Sequence, residues 1–374
     1  MLSELEPVLG NYTNTCQPVR ALELENYAGM GGRTIYRVNA DGGNVFCLRR
    51  WPQGQPPRQH LEFIQAVLWA SDCEGSYWLP LPCETDEGKG YVEYDGSFWE
   101  LMSWYVGYKI PFEQSIRPGQ LQSLLESLAE FHCIVDHFPH ANPPKGLSPR
   151  AMARNRQWQY WVREKLALLD TALTNPMLLH IEPLSPHSGF RESDVGIIHD
   201  ELIEYAKLFL RSAVDRAGRL ISILTRAARV AIPHQPVLQS LYRRHLLFSD
   251  ESRQVNGLID CSEMGVDTPA VDMAMILAHL SPWESTETIQ ALAQYRKIRD
   301  IPDNEYYLMI ALYHAETIMY PLDRLALLFL PNEPGYLPNP NVAQAALVRD
   351  ELRWGIEQIA NFQKDENAWS ERQP

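Results

Sequence analysis

Along the first hundred positions apolar residues alternate with polar ones in short runs, whereas after Gly107 they recur every three or four residues. Arg20-Ala-Leu-Glu-Leu-Glu-Asn26, Thr34-Ile-Tyr-Arg-Val38 and Asn44-Val-Phe-Cys-Leu-Arg49 carry β-branched or aromatic residues in alternation, with a turn signal at Asp41-Gly42-Gly43. That pattern predicts consecutive antiparallel strands. The stretch Arg58 to Trp69 has apolar residues at Leu61, Ile64, Val67 and Leu68, which is helical spacing after a Pro-rich entry. Gly90 to Tyr94, the turn Asp95-Gly96 and Phe98 to Met102 form the clearest hairpin, because Asp-Gly tolerates the positive φ of a two-residue turn.

Beyond Gly107 the spacing predicts helices over Leu121–Asp136, Ala151–Leu173, Asp200–Val230, Thr286–Lys297, Glu305–Leu330 and Val342–Phe362. One strand-like island interrupts them, Leu246-Leu-Phe248 and Val255-Asn-Gly-Leu-Ile259 around a polar turn. A short hairpin within helices draws attention, since functional side chains concentrate on loops held by a rigid scaffold.

At 374 residues and 45% hydrophobic content, the chain has material for a large core and for two lobes or more. The balance of 47 acidic against 33 basic residues, formally −14, disfavours nucleic-acid binding and attraction to anionic lipid. No run is long and apolar enough to span a bilayer, and the start MLSELEPVLG lacks the basic and apolar regions of a secretory signal, so a cytoplasmic location is expected. Six scattered cysteines without a Cys-x-x-Cys pair indicate neither zinc nor a disulfide framework.

The most informative segment is Gly257-Leu-Ile-Asp260-Cys-Ser-Glu-Met-Gly265-Val-Asp267-Thr-Pro269-Ala-Val-Asp272. Asp260 closes a buried apolar strand, and Asp267-x-Pro-x-x-Asp272 opens a helix, which suits a carboxylate held at a strand end for a divalent metal. Two readings of Asp267 stand, a metal-site brace or a helix cap through its side-chain oxygen, with the cap favoured; Asp272 suits a buried structural partner.

This segment resembles the second motif of the aminoglycoside phosphotransferase, choline kinase and homoserine kinase-like superfamily. Leu128-Ala-Glu-Phe-His132 resembles the end of that family's first large-lobe helix, and Trp99-Glu-Leu-Met-Ser-Trp104-Tyr-Val-Gly107 its hinge. The resemblance implies an α+β, two-lobed protein-kinase-like fold. Residues 1–104 become a β-rich nucleotide-binding lobe, 105–115 a hinge, and 116–374 a helical lobe with a catalytic hairpin at 238–265 and a helical insert at 146–235. It further implies ATP with Mg²⁺ or Mn²⁺ and a small-molecule acceptor, while the charge and the lack of a long apolar run already speak against a nucleic-acid or membrane partner. Asp260 would bind the metal, with Asp272 bracing the loop. A phosphate-covering turn would lie at Gly29-Met-Gly31-Gly32-Arg33, although Thr34 stands where a third glycine would complete the pattern. Arg49 would pair with phosphate and with Glu62 of the following helix, and Met102, Ser103 and Trp104 would receive the adenine.

The catalytic loop departs from the family's approximate His-Gly-Asp-Leu-His-Pro-Gly-Asn. Anchored on the strand Leu246-Leu-Phe248, the chain reads Leu238-Gln-Ser240-Leu-Tyr242-Arg-Arg-His245, with Ser240 at the base position and His245 at the metal-binding Asn position. A neutral serine hydroxyl is no base at pH 7, and loss of a positioned base costs roughly 10²–10⁴ in rate. For His245, metal ligation, partial replacement of the base and a simple backbone contact all stand. Arg243 and Arg244 suit an anion clamp or a solvated pair. Tyr242, Trp158 and Trp161 suit a substrate wall or the core. Two readings follow: a small-molecule kinase with a degenerate base, and a nucleotide-binding pseudokinase. A third is an unrelated helical protein with a β-rich lobe.

Overall fold

The computed structural model describes residues 2–23, 33–73, 75, 77–112, 114–117, 119–139, 145–174, 179–182, 192–249, 254–283, 285–337 and 339–370. In chain order the first elements are α1 (Leu2–Leu9), β1 (Pro18–Glu23), β2 (Thr34–Ala40), β3 (Val45–Arg50), α2 (Arg58–Cys73), β4 (Val92–Tyr94) and β5 (Ser97–Ser103). The strands form one antiparallel sheet in the order β1-β2-β3-β5-β4. Strand alternation decides its two faces. Phe46 and Leu48 of β3 and Trp99 and Leu101 of β5 pack with Leu5, Val8 and Leu9 of α1, so the N-terminal helix covers one face. The intervening residues Arg49 and Glu100 turn to the opposite face, toward α2 and the second lobe.

The remainder is mainly helical: α3 (Gln120–Val135), β6 (Lys145–Leu147), α4 (Pro149–Tyr160), α5 (Leu166–Thr174), α6 (Glu192–Asp215), α7 (Ala217–Ala227), β7 (Ala231–Pro233), β8 (Gln235–Val237), β9 (Leu246–Phe248), β10 (Val255–Leu258), β11 (Gly265–Asp267), α8 (Ala270–Leu280), α9 (Thr286–Ile298), α10 (Asp303–Phe329) and α11 (Val342–Ser370). The helix predicted over 151–173 is α4 and α5 joined by a π-helical turn at Trp161–Lys165. The one predicted over 200–230 is α6 and α7, broken where Arg216 leaves helical ψ. Every residue of α8 is buried, as its run of Ala, Val, Met, Ile and Leu requires, and the two polar exceptions, Asp272 and His279, are buried with it. It packs against α10, which in turn meets α11, while α3 lies along α9. Trp158 and Trp161 are fully buried in this core. Each wholly buried leucine in it contributes about 1.5–3 kcal/mol over leaving the side chain in water.

The chain crosses between the lobes after β5 and docks at once on the β9–β10 hairpin. Tyr108 and Phe248 exchange backbone hydrogen bonds of 2.8 and 2.9 Å. Gly107 is required there, because a Cβ would lie 2.9 Å from Leu247 Cβ and 3.1 Å from the Phe248 carbonyl oxygen. Among the described residues no helix is long and apolar enough to cross a membrane. Cys16 and Cys261 are buried free thiols, whereas Cys133 is exposed.

Candidate functional site

Arg49 of β3 stands directly opposite Glu100 of β5, so the two side chains share one face of the sheet. Glu100 Oε2 accepts from Arg49 Nη2 at 2.8 Å and Nε at 3.2 Å, and closely from Trp51 Nε1; its Oε1 accepts from Gln65 Nε2 at 2.8 Å. The expected Arg49–Glu62 pair is therefore corrected. Gln65 falls within the buried stripe of Leu61, Ile64 and Leu68 on α2, whereas Glu62 faces outward and accepts from the Tyr91 hydroxyl at 3.0 Å. The helix supplies a neutral amide and a strand supplies the carboxylate. Burial works against the charge on Arg49, but Glu100 and Asp260 outweigh it and raise its pKa.

From this network the cleft is bridged to the hairpin. Asp260, just past β10, accepts from Arg33 Nη1 at 2.7 Å and Arg49 Nη1 at 3.4 Å. Arg33 Nη2 also donates to Ser262 Oγ at 2.7 Å, and the Ser262 backbone N–H donates to Asp260 Oδ1 at 2.9 Å. Both guanidinium groups lie over Trp51, their central carbons 4.7 Å (Arg33) and 4.3 Å (Arg49) from its ring centroid, so the indole aligns two cations. Burial alone would raise the Asp260 pKa; Arg33 and Arg49 reverse this and hold it well below the usual carboxylate range. The glycines expected over phosphate, Gly29, Gly31 and Gly32, lie outside the described residues, and Arg33 directly follows them.

The loop 238–245 is closed on itself. Ser240 is buried, and its hydroxyl donates to the Asp260 carbonyl oxygen at 2.7 Å. His245 Nδ1 donates to the Ser240 carbonyl oxygen at 3.0 Å, and its Nε2 accepts from Arg244 Nε at 3.3 Å. Burial first, then Arg244, pushes the imidazole down to about 4, so it is neutral at pH 7 with both nitrogens engaged. Asp272 braces the loop from α8: it accepts from the N–H groups of Leu238 and Gln239, each at 2.8 Å, and from His132 Nε2 at 3.1 Å. Gln239 sits at φ 57°, left-handed backbone that this carboxylate holds in place. Asp267 caps a helix other than the one it precedes, accepting from Arg150 N of α4 at 2.8 Å, because β11 delivers it beneath that helix's first turn.

The clamp proposed for Arg243 and Arg244 is corrected as well. Arg243 is 1% exposed, donates to the carbonyl oxygens of Phe112 and Gln114 at 3.3 and 2.9 Å, and lies over the Trp354 ring. Arg244 pairs with Glu351 at 3.2 Å and contacts the Tyr320 hydroxyl. Arg243 thus ties the loop to the end of the hinge segment and to α11, and Arg244 ties it to α10 and α11. At the hinge, Met102 is buried and bridges Pro82, and the Trp104 N–H donates to the Val45 carbonyl oxygen at 3.1 Å. Ser103, between them, is exposed at the end of β5.

The donor set was expected to hold Mg²⁺ or Mn²⁺ through Asp260 and His245. In this arrangement each Asp260 oxygen accepts from an arginine and both His245 nitrogens are engaged, so the two residues are set for these partners rather than for a divalent ion. Among the described residues no group of three or more His, Cys, Asp or Glu is placed to hold one. Sequence reasoning missed Glu100, Gln65 and Trp51. The signal for Glu100 was a carboxylate facing Arg49, readable only once the strand register is known.

Solved structures share this architecture. An aminoglycoside phosphotransferase from Alicyclobacillus acidocaldarius superposes with a TM-score of 0.56 at 14% identity, over 97% of this chain and 96% of that one. The amicoumacin kinase hAmiN, solved in complex with AMP-PNP, Ca²⁺ and Ami, gives 0.54 at 12%, over 96% and 92%. A microcompartment-associated aminopropanol kinase gives 0.53 at 15%, over 98% of both. At these identities the likeness speaks for the fold alone. No curated protein matches. Residues 27–306, well over half of the chain, match the phosphotransferase enzyme family, and with the kinase-like lobes and the Asp260–Asp272 segment in place, the chain belongs to that family.

Proposed function

We propose that this small-molecule phosphotransferase binds a nucleotide, ATP by analogy with its family, between the sheet and the 238–265 hairpin. It transfers phosphate to an acceptor hydroxyl slowly, for want of a base. The observation that carries this reading is at Ser240, where a neutral hydroxyl donating to the Asp260 carbonyl oxygen at 2.7 Å, and not a carboxylate, occupies the loop. Phosphoryl transfer passes through a loose transition state in which positioning and charge neutralisation dominate, so the reaction survives without a base at reduced rate. Kinases commonly turn over at about 1–100 s⁻¹, and a lost base removes about 10²–10⁴, leaving roughly 10⁻⁴–1 s⁻¹.

Beside the loop, a small cavity is walled by Phe112, His279, Tyr320 and Trp354 together with Glu316 and Glu351. Each of these carboxylates is paired with two arginines, Arg150 and Arg154 or Arg244 and Arg324. At about 10 Å³ the cavity has room for no more than one water molecule, so these ion pairs brace the loop rather than meet an acceptor. Such use of ATP belongs in the cytoplasm.

Calorimetric titration with ATP and AMP-PNP, followed by a phosphorylation screen over hydroxylated metabolites, tests the reading. We expect nucleotide binding, and turnover that Ser240→Ala leaves within about threefold, since the removed hydroxyl is not the base. No nucleotide binding refutes the reading, and a hundredfold loss in Ser240→Ala refutes the role assigned to the loop. A binding or regulatory role is the second reading, favoured by the Arg33–Asp260 bridge that closes the cleft. Nucleotide binding without phosphate transfer across the whole screen would select it.

A further inference from the structure

The conflict between the expected metal site and the donors present has a direct physical resolution, which rests on the nucleotide-binding reading and deepens it. We propose that Arg33 and Arg49 stand in for the divalent ion: the polyphosphate of the nucleotide binds their two guanidinium groups directly, displacing Asp260, with no cation between protein and phosphate.

Three features of the cleft carry this. First, each oxygen of Asp260 is met by a different guanidinium, Oδ2 by Arg33 at 2.7 Å and Oδ1 by Arg49 at 3.4 Å, so cationic nitrogens stand where a metal would contact the carboxylate. Second, the two cations are aligned over one indole, and Trp51 is itself only 4% exposed and tied through Nε1 to Glu100. Planar donors fixed in this way suit phosphate oxygens, which guanidinium groups take in a two-pronged fashion that an ammonium does not. Third, the cleft holds its own anion. Asp260 lies against the cations that a phosphate would seek, and Ser262 Oγ, already accepting from Arg33 Nη2 at 2.7 Å, extends the same polar patch.

Asp260 is then a competitor of the ligand rather than its anchor. A polyphosphate brings several negative charges against one carboxylate, and on its arrival Asp260 keeps the Ser262 N–H, at 2.9 Å, as a partner. Glu100 continues to hold Arg49 from the sheet side at 2.8 Å, so that guanidinium stays aimed as its other face exchanges partners. Arg33 lacks such a second carboxylate among its described contacts and is the more exposed of the two, which makes it the group that moves with the ligand.

The sign of one substitution separates this arrangement from a metal site. A carboxylate that anchors a metal is needed for nucleotide binding, whereas one that competes with phosphate hinders it. Calorimetric titrations of inorganic pyrophosphate and of ATP are run on the full chain, each in EDTA and in excess Mg²⁺, with wild type, Asp260→Asn, Arg33→Ala and Arg33→Lys. We expect wild-type affinity in EDTA to match that in Mg²⁺ within about threefold. Asp260→Asn should tighten pyrophosphate in EDTA about tenfold to a hundredfold, the scale of one charge-assisted hydrogen bond released. Arg33→Ala should weaken it at least tenfold and Arg33→Lys should recover only part of that loss. Arg33 is partly exposed, so its substitution tests binding in a folded chain. Binding that appears only with Mg²⁺, or that Asp260→Asn abolishes, overturns the inference while leaving the nucleotide reading intact. Absence of ATP and pyrophosphate binding in both buffers overturns the two together.

Discussion

Removing the Glu100 carboxylate tests whether it, rather than a helix residue, is the partner of Arg49. Glu100 and Arg49 have side chains 2% and 7% exposed, so water offers little replacement for either. Truncating one partner of a buried ion pair costs about 3–5 kcal/mol, because the other charge stays buried and uncompensated. Trp51 Nε1 and Gln65 Nε2 lose their acceptor in the same stroke, though such losses within one network do not add. Arg49 retains Asp260 at 3.4 Å, which holds the estimate near the middle of the range. For Glu100→Ala we expect a loss of about 4 kcal/mol, close to a thousandfold in the unfolding equilibrium. Urea unfolding followed by tryptophan fluorescence reads it, since Trp51 and Trp99 report on the sheet. Glu62→Ala, on the exposed face of α2, should change stability by less than about 0.5 kcal/mol. A Glu100→Ala loss under 1 kcal/mol, or a Glu62→Ala loss that equals it, would refute the reasoning.

Asp272→Ala strips the acceptor from two loop N–H groups and from His132, and should destabilise by about 3 kcal/mol, with faster proteolysis within 238–245 as the second readout. His279, packed against Tyr242 and Tyr320, is pushed down to about 3 by burial, with Arg244 and Arg243 adding to this against Glu316. Its folded pKa lies below its unfolded value near 6.5, so the unfolded chain binds the extra proton and stability falls as pH drops from about 6.5 toward 3. We expect the difference between wild type and His279→Phe, in urea titrations across that window, to change by about 1.4 kcal/mol per pH unit. An unchanged difference would count against a buried neutral imidazole.

The strands of the first lobe were legible because β-branched and aromatic alternation met glycine turns, as at Asp95-Gly96, where both residues take positive φ. The long helices were legible from their spacing. The three-residue strands β6, β7, β8 and β11 were not, since a period of two cannot be seen in three residues, and they lack the adjoining turn and partner strand that gave away the equally short β4 and β9. Neither was α1, eight residues long and holding Pro7. At the site, Asp260 and Asp272 stood out by position in a strand-turn-helix segment. Their partners did not, because Arg33 and Asp260 are 227 residues apart and Arg49 and Glu100 meet only through the register of β3 on β5. The same limit applied to Arg243: its sequence neighbours suggested an open cationic surface, and Phe112 and Trp354 enclose it from afar.

The seam between hinge and hairpin has a meaning for how the chain is made. The Asn256 side chain that donates to the Val106 carbonyl is 150 residues away in sequence. On a ribosome adding about 5–20 residues per second, that partner follows roughly 7–30 s after the hinge has been synthesised. During this interval the sheet has emerged with its cleft face, Arg49 and Glu100 included, lacking the lobe that will cover it. The β9–β10 hairpin is thus a late closing piece, and a ribosome stalled between residues 110 and 245 would present that uncovered face to chaperones.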